Sequence, residues 1–190
     1  TKVSVLLGTE IQHFTYDRTF ATYNTNFEET QIAGYLETEW SPLYWLAIKP
    51  GVRYEHSMLI DNNAVSPRMA AAIRAGLHGQ FSVASGMFYQ LAEPQYYISN
   101  HRPGFQKSIH YIANYQYMHN DRTLRLEAYY KDYNQLVREH GAPFDPNTFR
   151  FIPDTILVNN AGYGYAQGLE LFWRDKKTVK NGDYWISYSY

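Results

Sequence analysis

The sequence predicts an all-β chain that folds as an antiparallel meander of about nine strands. Apolar and polar residues alternate with period two along most segments, and the clearest example is residues 169–174, LELFWR. Helical periodicity is not sustained for three turns anywhere in the sequence. Glycine, proline and asparagine separate the alternating segments, which is typical of strands joined by turns.

The strands and their connections follow from this alternation. We predict strands at residues 2–16, 30–40, 45–57, 65–76, 81–90, 108–119, 123–138, 162–174 and 184–190. Short turns are predicted at 41–44, 77–80, 120–122 and 175–183, and longer connections at 17–29, 58–64, 91–107 and 139–161. Because the two kinds alternate along the chain, the long connections should all lie at one end of the sheet. Bacterial membrane barrels have this asymmetry.

Composition excludes several classes of function. Of the 190 residues, 19 are tyrosine, and aromatic residues make up 17% while charged residues make up only 18%. A net charge of -1 provides no basic surface for nucleic acid. The absence of cysteine excludes disulfides and thiolate metal sites. No segment approaches the roughly 18 apolar residues that a membrane helix needs.

One face of the predicted sheet is apolar and aromatic, and the other is polar. A soluble β-sandwich would cover the apolar face with a second sheet, whereas a membrane barrel turns that face to lipid and its polar face to the lumen. We therefore predict a fragment of a large transmembrane β-barrel. Both ends of the chain fall within predicted strands, so we expect a piece of a longer protein, folded as an open sheet with two free edges.

Several segments carry a resemblance to a known family. They are SPRMAAAIRAGLHGQFSVASGMFYQ, HYIANYQYMHNDRTLRLEAYYKDYNQLV and GYGYAQGLELFWRDKKTVKNGDYWISYSY, with VRYEH at residues 52–56. From about residue 29 onward the chain resembles the barrel of TonB-dependent outer-membrane receptors. That resemblance implies that residues 1–190 are the C-terminal part of a 22-stranded barrel, without the plug domain that folds inside it and without the segment that contacts TonB.

The same resemblance implies a function and a set of partners. Such a receptor lies in the outer membrane of a Gram-negative bacterium and imports a scarce nutrient with energy relayed by TonB. The expected partners are outer-membrane lipid, the plug domain of the same parent chain, TonB, and a small-molecule or glycan ligand. A siderophore, a cobalamin and a glycan remain equally open as ligands.

Charged residues on the polar face form one candidate constellation. Against lipid, each charge would cost several kcal/mol, so we expect all of them to face the lumen and to contact the plug or line the path. The predicted lumen-facing charges are Glu37, Arg53, Glu55, Arg68, Arg74, Arg125, Glu127 and Glu170.

The long connections supply the candidate ligand contacts. Aromatic and polar side chains on exposed loops suit any of the three ligand classes. The candidates are Tyr96, Tyr97, His101, Arg102, His140 and Arg150.

The sequence gives little indication of catalysis or metal binding. Its seven histidines form no pair at spacing two or four, which zinc and iron sites commonly show. Ser108 and His110 share a strand face but lack a convincing third member of a hydrolase triad. We therefore expect no enzyme activity, no cofactor and no metal. Two alternatives remain: a soluble β-sandwich that binds glycan, and a hydrolase embedded in a barrel.

Overall fold

The computed structural model describes residues 2–20, 23–97, 102–141 and 156–190. They form one nine-stranded antiparallel sheet in which the strands lie in chain order. The strands are β1 (Lys2–Phe20), β2 (Tyr23–Leu43), β3 (Leu46–Ser57), β4 (Asn62–Ala75), β5 (Gly79–Gln90), β6 (Gln106–His119), β7 (Arg122–Gly141), β8 (Ile156–Asp175) and β9 (Tyr184–Ser189). A 3-10 turn, Pro94–Tyr97, lies between β5 and β6. The predicted all-β meander is confirmed.

The sheet is open. Within the described ranges, β1 pairs only with β2 and β9 pairs only with β8, so both outer strands have a free edge. This confirms the prediction of an open sheet. None of the described residues belongs to a helix long and apolar enough to cross a membrane.

Cross-strand register gives the sheet two chemically different faces. The apolar face carries Leu7, Leu36, Val52, Met69, Val83, Tyr111, Leu126, Leu169 and Ile186. The polar face carries Glu10, Glu37, Arg53, Arg68, His110, Glu127, Glu170 and Ser187. Because strand side chains alternate strictly, one residue of register slip would exchange the two faces.

The apolar face is not covered by a second layer in the described part of the chain. Its side chains are exposed, and Leu7 reaches 76% exposure while Met69 and Leu169 each reach 59%. Buried hydrophobic residues are few among those described, and they lie mostly in or beside the connections. Extensive exposed apolar surface marks a face that contacts something other than water.

The apolar face has an uncharged band of defined height. On β7 the outward residues from Leu124 to Tyr130 are uncharged, and the band ends at Arg122 on one side and Asp132 on the other. Residues 123–131 therefore span it, which matches the roughly 9 to 11 residues of a tilted membrane strand.

The predicted connection at residues 17–29 is wrong. Instead, β1 and β2 continue through it as a paired hairpin, and Tyr16 stacks on Phe27 with ring centroids 5.1 Å apart. The Asn- and Thr-rich composition suggested a loop because this part of the hairpin carries polar residues on both faces. Threonine, tyrosine and phenylalanine nevertheless favour strands, and the ladder supplies the backbone hydrogen bonds.

Other predicted boundaries also move. The connection at 58–64 is a turn at 58–61, and strand β2 runs through the predicted turn at 41–44 to Leu43, with a register shift after Trp40. The long connection at 139–161 shortens because β7 reaches Gly141 and β8 begins at Ile156; residues 142–155 lie outside the described ranges. In these segments, residues whose composition predicted loops belong to strands that continue beyond the uncharged band.

The two ends of the sheet still differ. At the short-turn end lie the turns at residues 44–45, 76–78, 120–121 and 176–183. At the long-loop end lie the turn at 58–61 and the described residues 91–97 and 102–105; residues 21–22 and 142–155, which follow strand ends on this side, lie outside the described ranges. The two longest connections share one end as predicted, whereas 58–61 is as short as a turn.

Asp175 organises the turn between β8 and β9. Its carboxylate accepts hydrogen bonds from the Thr178 hydroxyl at 2.6 Å, from the backbone amides of Lys177 and Thr178 at 2.7 and 2.9 Å, and from Arg122 Nε at 3.0 Å. These bonds stabilise the charged form, and the Thr178 hydroxyl contributes most to holding the pKa of Asp175 well below its usual range.

We predict that Asp175→Asn loosens this turn. The backbone amides at 177 and 178 lose a charged acceptor, and their hydrogen exchange should accelerate roughly tenfold. Because the folded pKa lies below the unfolded value, the contribution is present above about pH 4 and is lost as pH falls through the folded pKa. Hydrogen exchange with mass spectrometry at pH 7 and at lower pH measures both effects.

Asp17→Asn is the matched control, since Asp17 is an exposed carboxylate on the edge strand β1. It should leave exchange at 176–183 unchanged. Equal exchange in the Asp175→Asn protein and the unsubstituted protein would contradict the assignment.

Candidate functional site

The structure places all eight predicted lumen-facing charges on the polar face. Small residues opposite them make room for their side chains. A Cβ atom on Gly51 would lie 3.1 Å from Glu37 Cγ and 3.3 Å from Arg68 Cγ, and one on Gly86 would lie 3.1 Å from Arg68 Cβ. The glycines at these positions therefore allow Glu37 and Arg68 to lie side by side across three strands.

Arg53 joins two carboxylates on this face. Its Nη1 donates to Glu10 Oε2 at 2.9 Å and its Nε donates to Glu55 Oε2 at 3.0 Å. The pairing of Arg53 with Glu55 follows from their spacing of two along one strand. Glu10 was not among the predicted residues, because its approach depends on the register of β1 against β2 and of β2 against β3.

Glu37 lies between two cations. Lys49 Nζ is 3.2 Å from Glu37 Oε2, and Arg68 Nη1 is 3.4 Å from Glu37 Oε1. The Glu37 side chain is only 16% exposed, so these pairs are screened less than surface pairs. Together with the Arg53 pairs they form a neutral network across β1 to β4.

The remaining predicted charges have different partners. Arg125 lies over the ring of Phe172 at 5.8 Å, and Glu127 accepts a hydrogen bond from Asn114 Nδ2 at 3.2 Å. Glu170 is the register partner of Glu127 on β8. Arg74 is exposed near the short-turn end, beside a cavity of ≈ 480 Å³ that Lys2 and Trp45 also line.

A groove follows the charged network. One cavity of ≈ 430 Å³ is lined by Gln31, Arg53, Glu55, Ser66, Arg68 and Phe88 among others. A second, of ≈ 250 Å³, shares Arg68 and Phe88 with it and adds Glu37, Lys49 and His110. The His110 ring lies 4.6 Å from the Phe88 ring. The groove therefore has charged side chains of both signs and one aromatic wall.

The connections at the long-loop end pack into a small buried cluster. Leu59, Ala92 and Tyr97 form its centre, and Phe27 and Val137 pack against it from β2 and β7. The Tyr97 hydroxyl accepts a hydrogen bond from the Ala92 amide at 3.0 Å and donates to the Pro103 carbonyl at 3.3 Å. The described parts of the connection between β5 and β6, residues 91–97 and 102–105, are thus joined to each other through Tyr97.

Three further contacts tie this cluster to the strands. Glu29 is fully buried and accepts a hydrogen bond from the Leu59 amide at 2.7 Å, while its Oε1 has no partner in the described structure. Arg102 Nη1 donates to the Leu59 carbonyl at 2.6 Å. Asn160 on β8 accepts from the Gly104 amide at 2.7 Å.

The predicted ligand contacts have different environments. Tyr97 is buried, and burial raises the pKa of its phenol, with the neighbouring Glu29 carboxylate raising it further. Tyr96 is half-buried, and burial raises its pKa too. Arg102 supports the turn at Leu59, and His140 is exposed on β7 and not in a loop. His101 and Arg150 lie outside the described residues. Ligand contact by these side chains stays a prediction.

The described part of the chain has no metal-ligand cluster. Across residues 2–20, 23–97, 102–141 and 156–190, no group of three or more histidine, aspartate or glutamate side chains could hold a metal ion.

Comparison with known proteins shows a likeness of fold. No family model matches the chain, and no curated protein matches its sequence. The siderophore receptor PirA of Pseudomonas aeruginosa is similar over 97% of this chain and 39% of its own, with a TM-score of 0.76 and 12% identity. The ferric enterobactin receptor PfeA of the same organism, as a variant, is similar over 93% of this chain and 31% of its own, with a TM-score of 0.74 and 12% identity.

A third structure has the same fold. The FrpB iron transporter of Neisseria meningitidis is similar over 98% of this chain and 33% of its own, with a TM-score of 0.70 and 12% identity. The chain therefore spans about a third of the length of these structures. At such identities the likeness shows that the nine-stranded sheet has the fold of part of these receptors.

We predict that Arg53→Gln destabilises the first three strands. Glu10 and Glu55 would lose the cation that they share, and the loss should be modest because the pairs are partly open to solvent. Amides along β1 and β2 should exchange faster by roughly fivefold. Arg18→Gln changes an exposed arginine of the same hairpin and should have no such effect; equal acceleration in both variants would contradict the role of Arg53.

We predict that Tyr97→Phe loosens the loop cluster. It leaves the buried Ala92 amide without its acceptor, which should cost about 1 to 2 kcal/mol of local stability. Limited proteolysis between residues 91 and 105 measures the loss. Tyr163→Phe, at a side chain that is 84% exposed, is the control. Unchanged cleavage of the Tyr97→Phe protein would show that the hydroxyl does not hold the loop.

Proposed function

We propose that this chain is part of the β-barrel of an outer-membrane receptor that binds a scarce nutrient and imports it with TonB-coupled energy. One observation supports this most: a single-layer sheet exposes an apolar face along its length and collects the ion pairs of Arg53 and Glu37 on the other. Each face then needs a different medium, and a membrane barrel supplies lipid outside and a wet lumen inside.

In this proposal the eight charged residues of the polar face would face the lumen of the barrel. The network around Arg53 and Glu37 and the groove beside it would face the interior, where a plug domain of the same parent chain would contact them. The long-loop end would face outside the cell and the short-turn end the periplasm. The protein would be located in the outer membrane of a Gram-negative bacterium.

A siderophore is the ligand class we favour over cobalamin or a glycan. The three similar structures are named as a ferric enterobactin receptor, a siderophore receptor and an iron transporter. The exposed and half-buried side chains at the long-loop end, among them Tyr96 and His140, would contribute to its capture. The soluble β-sandwich loses support because the described residues form one sheet and no second layer.

We predict that Leu126→Arg prevents normal insertion. Leu126 lies on the apolar face within the uncharged band, and arginine there should cost roughly 2 to 4 kcal/mol against lipid. The amount of protein in isolated outer membranes should fall several-fold, as measured by immunoblot of the full-length protein that contains this chain.

Asn114→Arg is the matched control, because Asn114 lies on the polar face opposite Glu127. It adds the same charge to the neighbouring strand and should leave insertion unchanged. Equal loss from both substitutions, or from neither, would contradict the proposed orientation of the faces. Uptake of a ferric siderophore by cells with and without the protein, in the presence and absence of TonB, then tests transport itself.

A further inference from the structure

A row of small side chains crosses four strands on the apolar face. The register aligns Ala71 of β4, Val83 of β5, Ala113 of β6 and Ala128 of β7. The same row continues with larger residues at both ends, Ile48 on β3 and Leu169 on β8. We call this row the alanine furrow; it extends over three interstrand steps, about 14 Å.

Mostly large side chains border the alanine furrow on both long sides, with Ser85 as the one small residue among them. On the short-turn side the next row holds Ile73, Phe81, Tyr115 and Leu126, and on the long-loop side it holds Met69, Ser85, Tyr111 and Tyr130. A cavity of ≈ 540 Å³ lies along the long-loop side of the furrow, lined by the four furrow residues with Met69, Ser85, Tyr111 and Tyr130 among others.

The furrow lies near the middle of the uncharged band. Ala128 lies between the band limits Arg122 and Asp132 on β7. Its long-loop rim is reinforced by ring contacts, since Tyr111 and Tyr130 lie 6.5 Å apart and Tyr130 stacks on Tyr165 at 6.1 Å. The β6–β7 part of the rim therefore consists of tyrosines in contact with each other and with Tyr165 of β8.

Furrow width decides which class of molecule fits. Each bordering row is two residues from the furrow, so the rows stand about 13 Å apart between their backbones. Side chains fill part of that distance and leave too little for a helix, whose diameter is about 10 to 12 Å. A single hydrocarbon chain fits between the rims.

The distribution of polar groups around the furrow indicates on which side a lipid head group would lie. Hydroxyl groups of Ser85, Tyr111 and Tyr130 occur on the long-loop side, and the charged residues Lys107 and Asp132 follow further along the same face. The short-turn rim is apolar except for the hydroxyl of Tyr115. Ser85 leaves a gap in the long-loop rim between Met69 and Tyr111, and through it a lipid whose head group lies on the long-loop side can place its chain in the furrow.

We propose that the alanine furrow binds one acyl chain of a lipid from the membrane leaflet on the long-loop side. This inference rests on the proposed function, since it needs the apolar face to contact a bilayer. In addition to general contact with the bilayer, it assigns one site on the apolar face at which a lipid stays bound while the surrounding lipids exchange freely.

The test is lipid retention by the full-length protein that contains this chain. Protein is delipidated in mild detergent, supplied with dipalmitoyl phosphatidylethanolamine and analysed by native mass spectrometry. We expect one retained lipid per protein, and at least roughly tenfold less retention for Ala113→Leu/Ala128→Leu, because each displaced methylene contributes up to about fourfold to affinity.

Two controls keep the result specific. Thr38→Leu adds bulk to the apolar face outside the furrow and should retain lipid as the unsubstituted protein does. Dihexanoyl phosphatidylethanolamine has the same head group with short chains and should be retained weakly by all proteins. If the double variant assembles poorly, Ala113→Val alone should give a partial loss.

Equal retention by the unsubstituted protein and the furrow variants, or no retention by any protein, overturns the furrow site. Equal retention of the dihexanoyl lipid also overturns it, because recognition would then reside in the head group. If the Leu126→Arg prediction fails, in contrast, the apolar face does not contact a bilayer, and the proposed function is contradicted as well.

Discussion

The alternation of side chains along paired strands is the constraint on which the rest of this structure depends. Each strand is locked to its neighbours by backbone hydrogen bonds, and this register places every charged residue of the central network on one face. A one-residue slip would expose Arg53 and Glu37 to the medium that Leu36 and Val52 now contact. Register therefore determines which medium each face requires.

Small residues have different positions on the two faces of the sheet. On the polar face, glycine at positions 51 and 86 makes room for long charged side chains, which pair across strands and leave a groove. On the apolar face, small residues instead align in one row between tyrosines and leave a furrow. In both cases a small residue lies beside a large one, which leaves a groove with charged walls on one side and an apolar furrow on the other.

Sequence reasoning predicted the features that depend on period two. The strand count, the two faces and the grouping of Glu37, Arg53, Arg68 and the other charges all follow from alternation within single strands. It could not predict Glu10 as a partner of Arg53 or the alignment of Ala71 with Ala128, because these depend on register between strands distant in the sequence. It placed a loop at 17–29 because polar strands outside the uncharged band have the composition of loops.

At the long-loop end, too, the sequence could not predict contacts between residues from different segments. Tyr97 and Arg102 have the chemistry of ligand contacts, yet the structure gives Tyr97 two internal hydrogen bonds and gives Arg102 a backbone carbonyl. Only the folded connection shows that these groups already have partners. Glu29, buried within a polar stretch of β2, had no signal in the sequence that set it apart from exposed glutamates.

The central claim is that one face of this sheet contacts lipid while the other contacts water. Spin labels placed one at a time at residues 123–131 of β7, in the full-length protein in bilayers, test it most directly. The account predicts that collisions with oxygen dominate at 124, 126, 128 and 130, and collisions with a water-soluble nickel complex at 125, 127 and 129. Equal accessibility at successive positions, or the opposite alternation, would contradict it.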